Sequence, residues 1–267
     1  EYAPEWQYPK PWLFVPFHWT FLGGTWFGPM DPFSMASYWS LPYEVWYYAL
    51  FGCATLLQGR ARWIGVALVF AFMGPRMWLL LPCWWIGVLL HQHIDRLRMG
   101  QAVAWLLMGL AVLTYVVFVT SGGRAVLDQE SRDLYAWFNT WLPSPFKPGG
   151  TVHALSDYAV ALMFVVFVVG AANCGHAFGP RVAALIRALA GYTFSLYLIH
   201  FSLLVLMKAA GVHHPGIAGF LGVLGLIGAV TWLMAQVGEA RRPVYRRAIA
   251  AVLDAGLALR RRLAGAR

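Results

Sequence analysis

The sequence predicts an all-α fold, a polytopic bundle of about seven transmembrane helices. Of its 267 residues, 60% are hydrophobic and 12% are charged, whereas soluble domains carry about 25% charged residues. The apolar residues fall in runs close to the ~20 residues that cross ~30 Å of hydrocarbon. The 14 Trp and 12 Tyr suit a protein that is anchored at both interfaces of a bilayer.

The predicted spans are runs of mostly apolar residues along the whole chain. The second run is short and needs flanking residues to complete a crossing. An earlier apolar segment, residues 11–28, is interrupted by Pro16, Gly23 and Gly24 and is followed by Pro29, which favours an interfacial or re-entrant position. The predicted spans are residues 38–57, 63–73, 77–90, 102–120, 158–172, 182–207 and 217–237.

The Lys and Arg residues predict the orientation of these spans. If successive spans alternate in direction, 14 of the 20 Lys and Arg fall on one side, and eight of them lie in the tail from Arg241 onward. The more basic side is expected to be cytoplasmic, so the carboxy terminus lies inside and the 121–152 loop faces outward. The odd number of spans then places Glu1 outside, which fits further spans upstream. We therefore predict a transmembrane domain over residues 1–238, incomplete at its amino end, and a basic cytoplasmic tail over 239–267.

The net charge of +9 does not indicate nucleic-acid binding, because much of it is concentrated in the tail. A basic segment next to a span is attracted to anionic lipid head groups. Ile249, Leu253 and Leu257 recur at i, i+4 and i+8 among the tail arginines, which is typical of a helix on the inner membrane surface. A frayed basic tail explains the same residues equally well. Membrane lipids are expected partners, and nucleic acid is not.

Sequence patterns for metal, nucleotide and disulfide sites are weak or missing. The three cysteines have no CxxC spacing, so they indicate no disulfide framework. His91 and His93 would point about 200° apart on a helix, and no Walker pattern or GxSxG is present. We predict no bound metal and no bound cofactor.

The 121–152 loop is rich in aromatic residues and is expected to fold as a cap over the outer face.

Ionisable side chains inside predicted spans are the candidate functional residues, because placing a charge in a bilayer is costly. Glu44 is the acidic residue clearly inside a span, and His200 is the corresponding histidine. On a helix, Glu44 shares one face with the hydroxyl groups of Ser40, Tyr47 and Tyr48. These oxygens are expected to form a cluster in which the carboxylate holds a proton donor or orients a base. A glutamate neutralised by neighbouring hydroxyls or by an arginine is the structural alternative.

A second polar face surrounds His200. Thr193, Tyr197 and His200 recur at i, i+4 and i+7, and both a packing role and a functional role explain them. Glu44 and His200 each lie about 10 Å below the outer ends of their spans, at ~1.5 Å per residue, so one outer cavity could hold both. Arg76, in a short outer hairpin after Pro75, is a candidate to bind a carboxylate or phosphate there, with interface anchoring as the alternative.

These residues carry a resemblance to a known family. The stretch WSLPYEVWYY, residues 39–48, resembles the W-S-L-x-x-E-x-x-[FY]-Y signature of membrane acyltransferase family 3. The stretch SLYLIH, residues 195–200, resembles its late S-x-Y-L-x-H signature, and LPCWWIG, residues 81–87, is similar to an aromatic-rich segment between them. Order and spacing agree over residues 8–238.

The resemblance implies acyl transfer from a cytoplasmic acyl-CoA co-substrate, with acetyl as the default group. The acceptor would be a hydroxyl of a glycan or lipid-linked saccharide at the bacterial inner membrane. Family members have about ten spans, so about three would precede this chain. The family's Arg and His pair on the first span has no counterpart here, so the primary base would lie upstream. Glu44 and His200 would then support catalysis, and this chain alone is expected to be inactive.

The resemblance also implies roles for the neighbouring residues. Glu44 and Ser40 would position the polar network, and Tyr197 and His200 would support the substrate or the base. Trp39 would stack on a sugar or line the acyl path. The predicted catalytic residues are Glu44 and His200, and the predicted substrate-binding residues are Trp39, Ser40, Tyr47, Tyr197 and Arg76.

Two other functions explain polar residues inside a membrane. A transporter or flippase of a lipid-linked glycan would also need a polar cavity, but such proteins often carry inverted repeats with broken helices, and no such pair is evident. A non-catalytic membrane scaffold would place Glu44 and His200 far apart, each satisfied locally.

Overall fold

The structure is a computed structural model that describes residues 11–26, 36–141, 149–175, 178–211, 216–251 and 254. Within these ranges the secondary structure is helical, with turns between the helices and no β-strand. The all-α class predicted from composition and hydropathy is confirmed.

The contacts divide the chain into two units. The central unit consists of Tyr8–Pro32 and Trp39–Ala177, and the carboxy-terminal unit consists of Glu1–Gln7, Phe33–Tyr38 and Phe178–Arg267. This division falls within residues 1–238, which the sequence presents as one domain. Each unit is described by itself.

The central unit is built from apolar helices joined by short turns. Gly74 alone connects α3 to α4, and its φ of +83° is a conformation that favours glycine. Pro75 follows as the first residue of α4, where its missing N–H needs no helical partner. The helices are α1 (Pro11–Trp19), α2 (Ser40–Leu56), α3 (Gly59–Met73), α4 (Pro75–His93), α5 (Gln101–Thr120), α6 (Gly123–Asn139) and α7 (Ala154–Asn173).

The core of the central unit is rich in aromatic and methionine side chains. Two indole groups attach the segment after α1 to it: Trp46 Nε1 donates to the Phe21 carbonyl oxygen over 2.8 Å, and Trp26 Nε1 donates to that of Ala71 over 2.6 Å. With nine residues, α1 is far shorter than the ~20 needed to cross a bilayer. The buried core residues are Tyr43, Tyr47, Leu50, Met73, Met77, Leu80 and Ala154.

Helices α5 and α7 pack closely through small residues. Ala104 is completely buried, and a Cβ atom at Gly170 would lie 2.7 Å from the Ala104 carbonyl oxygen and 2.7 Å from Met108 Cγ. Asn173 Nδ2 donates to the Leu97 carbonyl oxygen over 2.8 Å, which adds a polar contact at one end of the pair. Small residues and interhelical hydrogen bonds are the usual means by which helices associate in a membrane.

The predicted 121–152 loop contains a helix of 17 residues, α6. It packs along the start of α7 through polar contacts. Tyr135 donates to the Thr151 carbonyl oxygen over 2.6 Å, and the Leu155 amide donates to Ser131 Oγ over 3.2 Å. The predicted loop therefore contains a regular helix, its role as a cap over the outer face stays a prediction, and residues 142–148 lie outside the described residues.

The carboxy-terminal unit contains α8 (Pro180–Ala190), α9 (Thr193–Ala209) and α10 (Ile217–Val237). The sequence predicts a span over 182–207, and within it the structure has two helices, α8 and α9, with a bend of 51° between them. Arg181 and Arg187 are exposed on α8. An apolar stripe beside basic residues is typical of a helix that lies on a membrane surface. The stripe consists of Val182, Leu185, Ile186 and Leu189, all exposed.

The start of the basic tail is also helical. A 3-10 turn at Glu239–Arg241 is followed by helical residues 242–251. The Tyr245 hydroxyl donates to the Val237 carbonyl oxygen over 2.8 Å and fixes this segment to the end of α10. Ile249 is 61% exposed, whereas Leu253 and Leu257 lie outside the described residues, so the position of this helix on the membrane surface stays a prediction.

The described part of the chain contains fewer candidate spans than the seven predicted. Among the described residues, four helices are long and apolar enough to cross a membrane, or five if the bent pair α8 and α9 forms one span. Helices α2 and α3 have 17 and 15 residues, or about 26 and 23 Å at ~1.5 Å per residue, which is less than the ~30 Å of the hydrocarbon core. The four spans are Pro75–Arg96, Gln101–Thr120, Gly149–Asn173 and Ile217–Ala251.

Candidate active site

The first predicted site segment, residues 39–48, lies at the start of α2 and directs one face into the core. Tyr43 and Tyr47 are each 3% exposed. The Tyr47 hydroxyl donates a 2.6 Å hydrogen bond to the Met77 carbonyl oxygen in the first turn of α4. The rings of Trp39 and Tyr43 meet edge to face, with 5.4 Å between their centroids. The hydrogen bond to Met77 therefore holds the start of α2 against α4.

Glu44 lies outside this buried face. It is exposed, and Tyr48 is 58% exposed, whereas Tyr47 is buried. Adjacent residues on a helix point about 100° apart, so the core takes up Tyr47 and leaves Tyr48 outside. The Tyr47 hydroxyl donates to Met77, and the expected cluster of four oxygens stays a prediction. These contacts give Tyr47 a packing role, and its predicted contact with substrate stays a prediction.

Arg76 lies at the same end of the central unit as Glu44. It is half-buried in the first turn of α4, directly before Met77, whose carbonyl oxygen receives the Tyr47 hydrogen bond. Glu44 precedes Tyr47 by one helical turn. The structure thus brings one acidic and one basic candidate to the same end of the α2–α4 pair, together with Trp39 and Ser40, which are both half-buried there.

His200 lies in the middle of α9 and is half-buried. Its Nδ1 atom lies 2.8 Å from the Tyr197 carbonyl oxygen and 3.0 Å from that of Leu196. A carbonyl oxygen can only accept a hydrogen bond, so Nδ1 carries the hydrogen and Nε2 of the neutral ring holds the lone pair. The helix backbone therefore fixes the tautomer and makes Nε2 the available proton acceptor.

The surroundings of His200 include two further contacts on α9. Tyr197 is 38% exposed, and its ring centroid lies 6.3 Å from that of His200. At the start of the helix, the Ser195 amide donates to Glu239 Oε1 over 3.3 Å. A carboxylate at this position interacts favourably with the helix dipole. Glu239, which the sequence analysis did not select, thus stabilises the segment that carries Tyr197 and His200.

The predicted site residues are distributed over both units. Glu44 belongs to the central unit and His200 to the carboxy-terminal unit, so a cavity shared by the two stays a prediction. Glu44 is four residues from the start of α2, and His200 is nine residues from the end of α9. These positions correspond to about 6 and 14 Å at ~1.5 Å per residue. These are distances along each helix, and the matched depth of the two residues in a membrane stays a prediction.

A polar cluster that the sequence analysis missed joins α6 to the start of α7. Asp128 Oδ1 accepts a 2.5 Å hydrogen bond from Ser156 Oγ. Its Oδ2 atom lies 3.0 Å from His153 Nδ1 and 3.8 Å from Arg124 Nε. Ser156 and Asp128 are 1% and 9% exposed. The serine hydroxyl contacts the carboxylate rather than the imidazole, so the cluster is not arranged as a nucleophilic triad.

The Asp128 carboxylate is charged at neutral pH. Burial acts to raise its pKa, but the hydrogen bond from Ser156 and the neighbouring His153 and Arg124 outweigh burial and hold the pKa below its ordinary value. Arg124, Asp128 and Ser131 follow one another at i, i+4 and i+7. This helical period, inside a segment predicted to be a loop, is the signal from which the cluster could have been found.

Comparison with known families identifies the domain. The model of the family described as an acyltransferase domain matches residues 3–236. The chain belongs to acyltransferase family 3. Both stretches that resemble the family signatures, residues 39–48 and 195–200, lie within the match of this acyltransferase 3 domain. Neither the comparison with curated proteins nor that with solved structures gave a match.

The carboxy-terminal limit of the acyltransferase 3 match lies close to the end of α10. The match ends at residue 236, one residue before the last residue of α10. The basic segment from Arg241 onward therefore lies outside it. With several apolar helices and this family domain, the protein is a multi-pass membrane protein with an acyltransferase domain.

Proposed function

We propose that this domain moves an acyl group, acetyl by default, from acyl-CoA to a hydroxyl of a glycan or other cell-envelope acceptor. Membership in the family supports acyl transfer in general. The observation that carries the finer proposal is the imidazole of His200, whose Nδ1 lies 2.8 Å from a backbone carbonyl oxygen and whose Nε2 is thereby a proton acceptor. An acceptor hydroxyl must lose its proton during acyl transfer, and a group of this kind assists that step.

The reaction forms an ester C–O bond and breaks the thioester C–S bond. A base removes the hydroxyl proton as the oxygen attacks the thioester carbonyl. Hydrogen-bond donors near the carbonyl oxygen stabilise the negative charge that develops on it. Collapse of the tetrahedral intermediate expels the thiolate of coenzyme A, which takes up a proton and leaves as the thiol.

Residues at the start of α2 are proposed to position the reacting groups. Glu44 is exposed there and is proposed to orient the base or its proton, with Ser40 beside it. Trp39 offers an indole face to a sugar ring or to the acyl path. Arg76, half-buried at the same end of the unit, supplies a positive charge that suits a phosphate or carboxylate of the co-substrate or acceptor.

The proposed location is the bacterial inner membrane, with the carboxy terminus in the cytoplasm. The support is the basic tail, because eight of the 20 Lys and Arg lie from Arg241 onward and the side richer in basic residues is expected to be cytoplasmic. Acyl-CoA is a cytoplasmic metabolite, so the donor would approach from this side.

The proposal is tested by incubating membrane vesicles that contain the full-length enzyme with radiolabelled acetyl-CoA and a glycan acceptor. Ester-linked label on the glycan is measured. Glu44→Gln is expected to lower the rate about 100-fold or more without changing membrane insertion. Glu130→Gln, an exposed carboxylate on α6, is the matched control and should transfer at the rate of the unaltered protein. Unchanged turnover in Glu44→Gln would remove Glu44 from the site. Glycan movement across the membrane without any acyl product would favour a transporter.

A further inference from the structure

A second concave site lies within the central unit, between α4, α6 and α7. Its volume is about 530 Å³, within the ~300–1,000 Å³ typical of pockets that bind small molecules. Trp78 and Leu79 of α4, Leu134 and Phe138 of α6, and Leu155 of α7 line it. None of the described residues in the lining carries a charge, so the cavity suits an apolar ligand.

The polar atoms in the lining already have partners in the protein. The Tyr135 hydroxyl donates to the Thr151 carbonyl oxygen over 2.6 Å, and the Tyr158 hydroxyl donates to the carbonyl oxygen of Leu79. Ser131 Oγ accepts from the Leu155 amide over 3.2 Å. A sugar or peptide would need directional hydrogen bonds, whereas a hydrocarbon chain needs none. The lining therefore favours hydrocarbon.

The cavity opens along the apolar face of α6. Leu134, Trp137 and Phe138, which line it, are 53%, 61% and 42% exposed. Arg132 and Asp133 lie on other faces of the same helix and are exposed. A helix with a Trp-containing apolar stripe and a charged opposite side is typical of the interface between a bilayer and water.

The position of the cavity in the bundle places it within reach of lipid. Its lining includes Pro75, the first residue of α4, and Ala154, the first residue of α7. Both helices belong to the candidate membrane spans, so the cavity lies where two spans begin. Lipid chains and head groups meet at this depth of a membrane.

We propose that this cavity binds one hydrocarbon chain of an anionic phospholipid from the leaflet at the α6 end of the bundle, with its head group beside Arg76. Arg76 follows the lining residue Pro75 in the first turn of α4 and is half-buried, so a basic residue lies next in the chain to one end of an uncharged cavity. Arginine pairs well with phosphate oxygens. Because Arg76 is also proposed to meet a phosphate or carboxylate of the co-substrate or acceptor, the test of the lipid site contains no activity measurement.

The test uses phosphatidylglycerol that carries a photoreactive diazirine in one acyl chain. The complete chain is reconstituted in phosphatidylcholine vesicles containing this lipid, irradiated and digested, and the labelled peptides are mapped by mass spectrometry. Adducts are expected to concentrate on residues 131–138 and on the first turns of α4 and α7. The proposal would be overturned if the label were spread evenly over the exposed residues of α5 and α7, with no enrichment at the cavity. This outcome can be read from the unaltered protein and requires no variant.

Two substitutions test the apolar lining. Leu134→Asp and Phe138→Asp place a charge in the cavity and are expected to lower its labelling about tenfold, because a charge disfavours hydrocarbon beside it. Val126→Asp on the same helix is the matched control, since Val126 is 60% exposed and does not line the cavity. Equal labelling in all three variants would contradict the proposal.

The head group is tested with the same diazirine chain attached to phosphatidylcholine. Labelling is expected to be several-fold weaker than with phosphatidylglycerol, and Arg76→Gln should abolish this difference while the variant still elutes as a single species in detergent. Equal labelling by both lipids in the unaltered protein would overturn the assignment of the anionic head group to Arg76.

Discussion

The hydroxyl of Tyr47 and the backbone carbonyl oxygen of Met77 are joined by a 2.6 Å hydrogen bond, and the two residues are 3% and 0% exposed. This contact links α2 to the first turn of α4. Because the contact places Tyr47 in the core, the adjacent Tyr48 points away from the core and is 58% exposed. Glu44, one turn before Tyr47, consequently lies outside the buried face of α2 and at the same end of the unit as Arg76.

Tyr47→Phe should destabilise the central unit without altering its fold. The phenyl ring retains the packing, but the buried hydrogen bond to Met77 is lost, at a cost of about 1 kcal/mol. Thermal unfolding of the detergent-solubilised protein should show a midpoint a few degrees lower. Tyr48→Phe is the matched control and should leave the midpoint unchanged, so equal shifts in the two variants would contradict the assigned role.

Gly170→Leu should disrupt the packing of α5 against α7. A Cβ atom there would lie 2.7 Å from the Ala104 carbonyl oxygen, and overpacking of this kind costs about 1–3 kcal/mol or more. Gly109→Leu on α5 is the control, because no atom lies within 4 Å of a Cβ at that position. The measurement is the fraction of monodisperse protein after heating, and similar losses in both variants would show that the close approach is unimportant.

The contact between α6 and α7 should weaken in acid. The pKa of Asp128 in the folded protein lies below its ordinary value of about 3.9. The charged carboxylate therefore adds stability above about pH 4, and this contribution is lost as the pH falls through the folded pKa. Hydrogen exchange of the α6 amides, corrected for intrinsic rates, should show protection that is steady near neutral pH and falls in acid.

Asp128→Asn should remove this pH dependence. The variant should already show weaker protection of α6 at neutral pH, by about 1–3 kcal/mol for the hydrogen bond that is altered. Glu130→Gln on the same helix should keep the full protection and its acid dependence. An unaltered exchange profile in Asp128→Asn would show that other contacts hold α6 in place.

His200→Gln should lower acyl transfer by about 100-fold or more, as expected for loss of a group that accepts a proton. Its Nδ1 contacts with the backbone orient the ring, so the variant loses the lone pair on Nε2 while the helix remains intact. The assay is ester-linked label from acetyl-CoA, with His91→Gln near the end of α4 as the control. A transfer rate equal to that of the control would assign His200 to packing.

Much of the helix pattern followed from local hydropathy. Residues 102–120 and 217–237 were predicted as spans, and the structure has Gln101–Thr120 and Ile217–Val237. A long apolar run permits few structures other than a helix in a bilayer. The 51° bend after Ala190 was not predicted, because hydropathy measures how apolar a segment is and not the direction of its axis.

The sequence by itself determined the all-α class, the family motifs and the identity of Glu44 and His200 as ionisable residues within apolar segments. The tertiary structure determined that Tyr47 is buried while its neighbour Tyr48 is exposed, and that Asp128 contacts Ser156 on a different helix. These features depend on which face of a helix meets a partner, and the partner is distant along the chain. Local composition and periodicity can mark a face of a helix but do not identify its partner, whereas packing and hydrogen bonding between helices fix it.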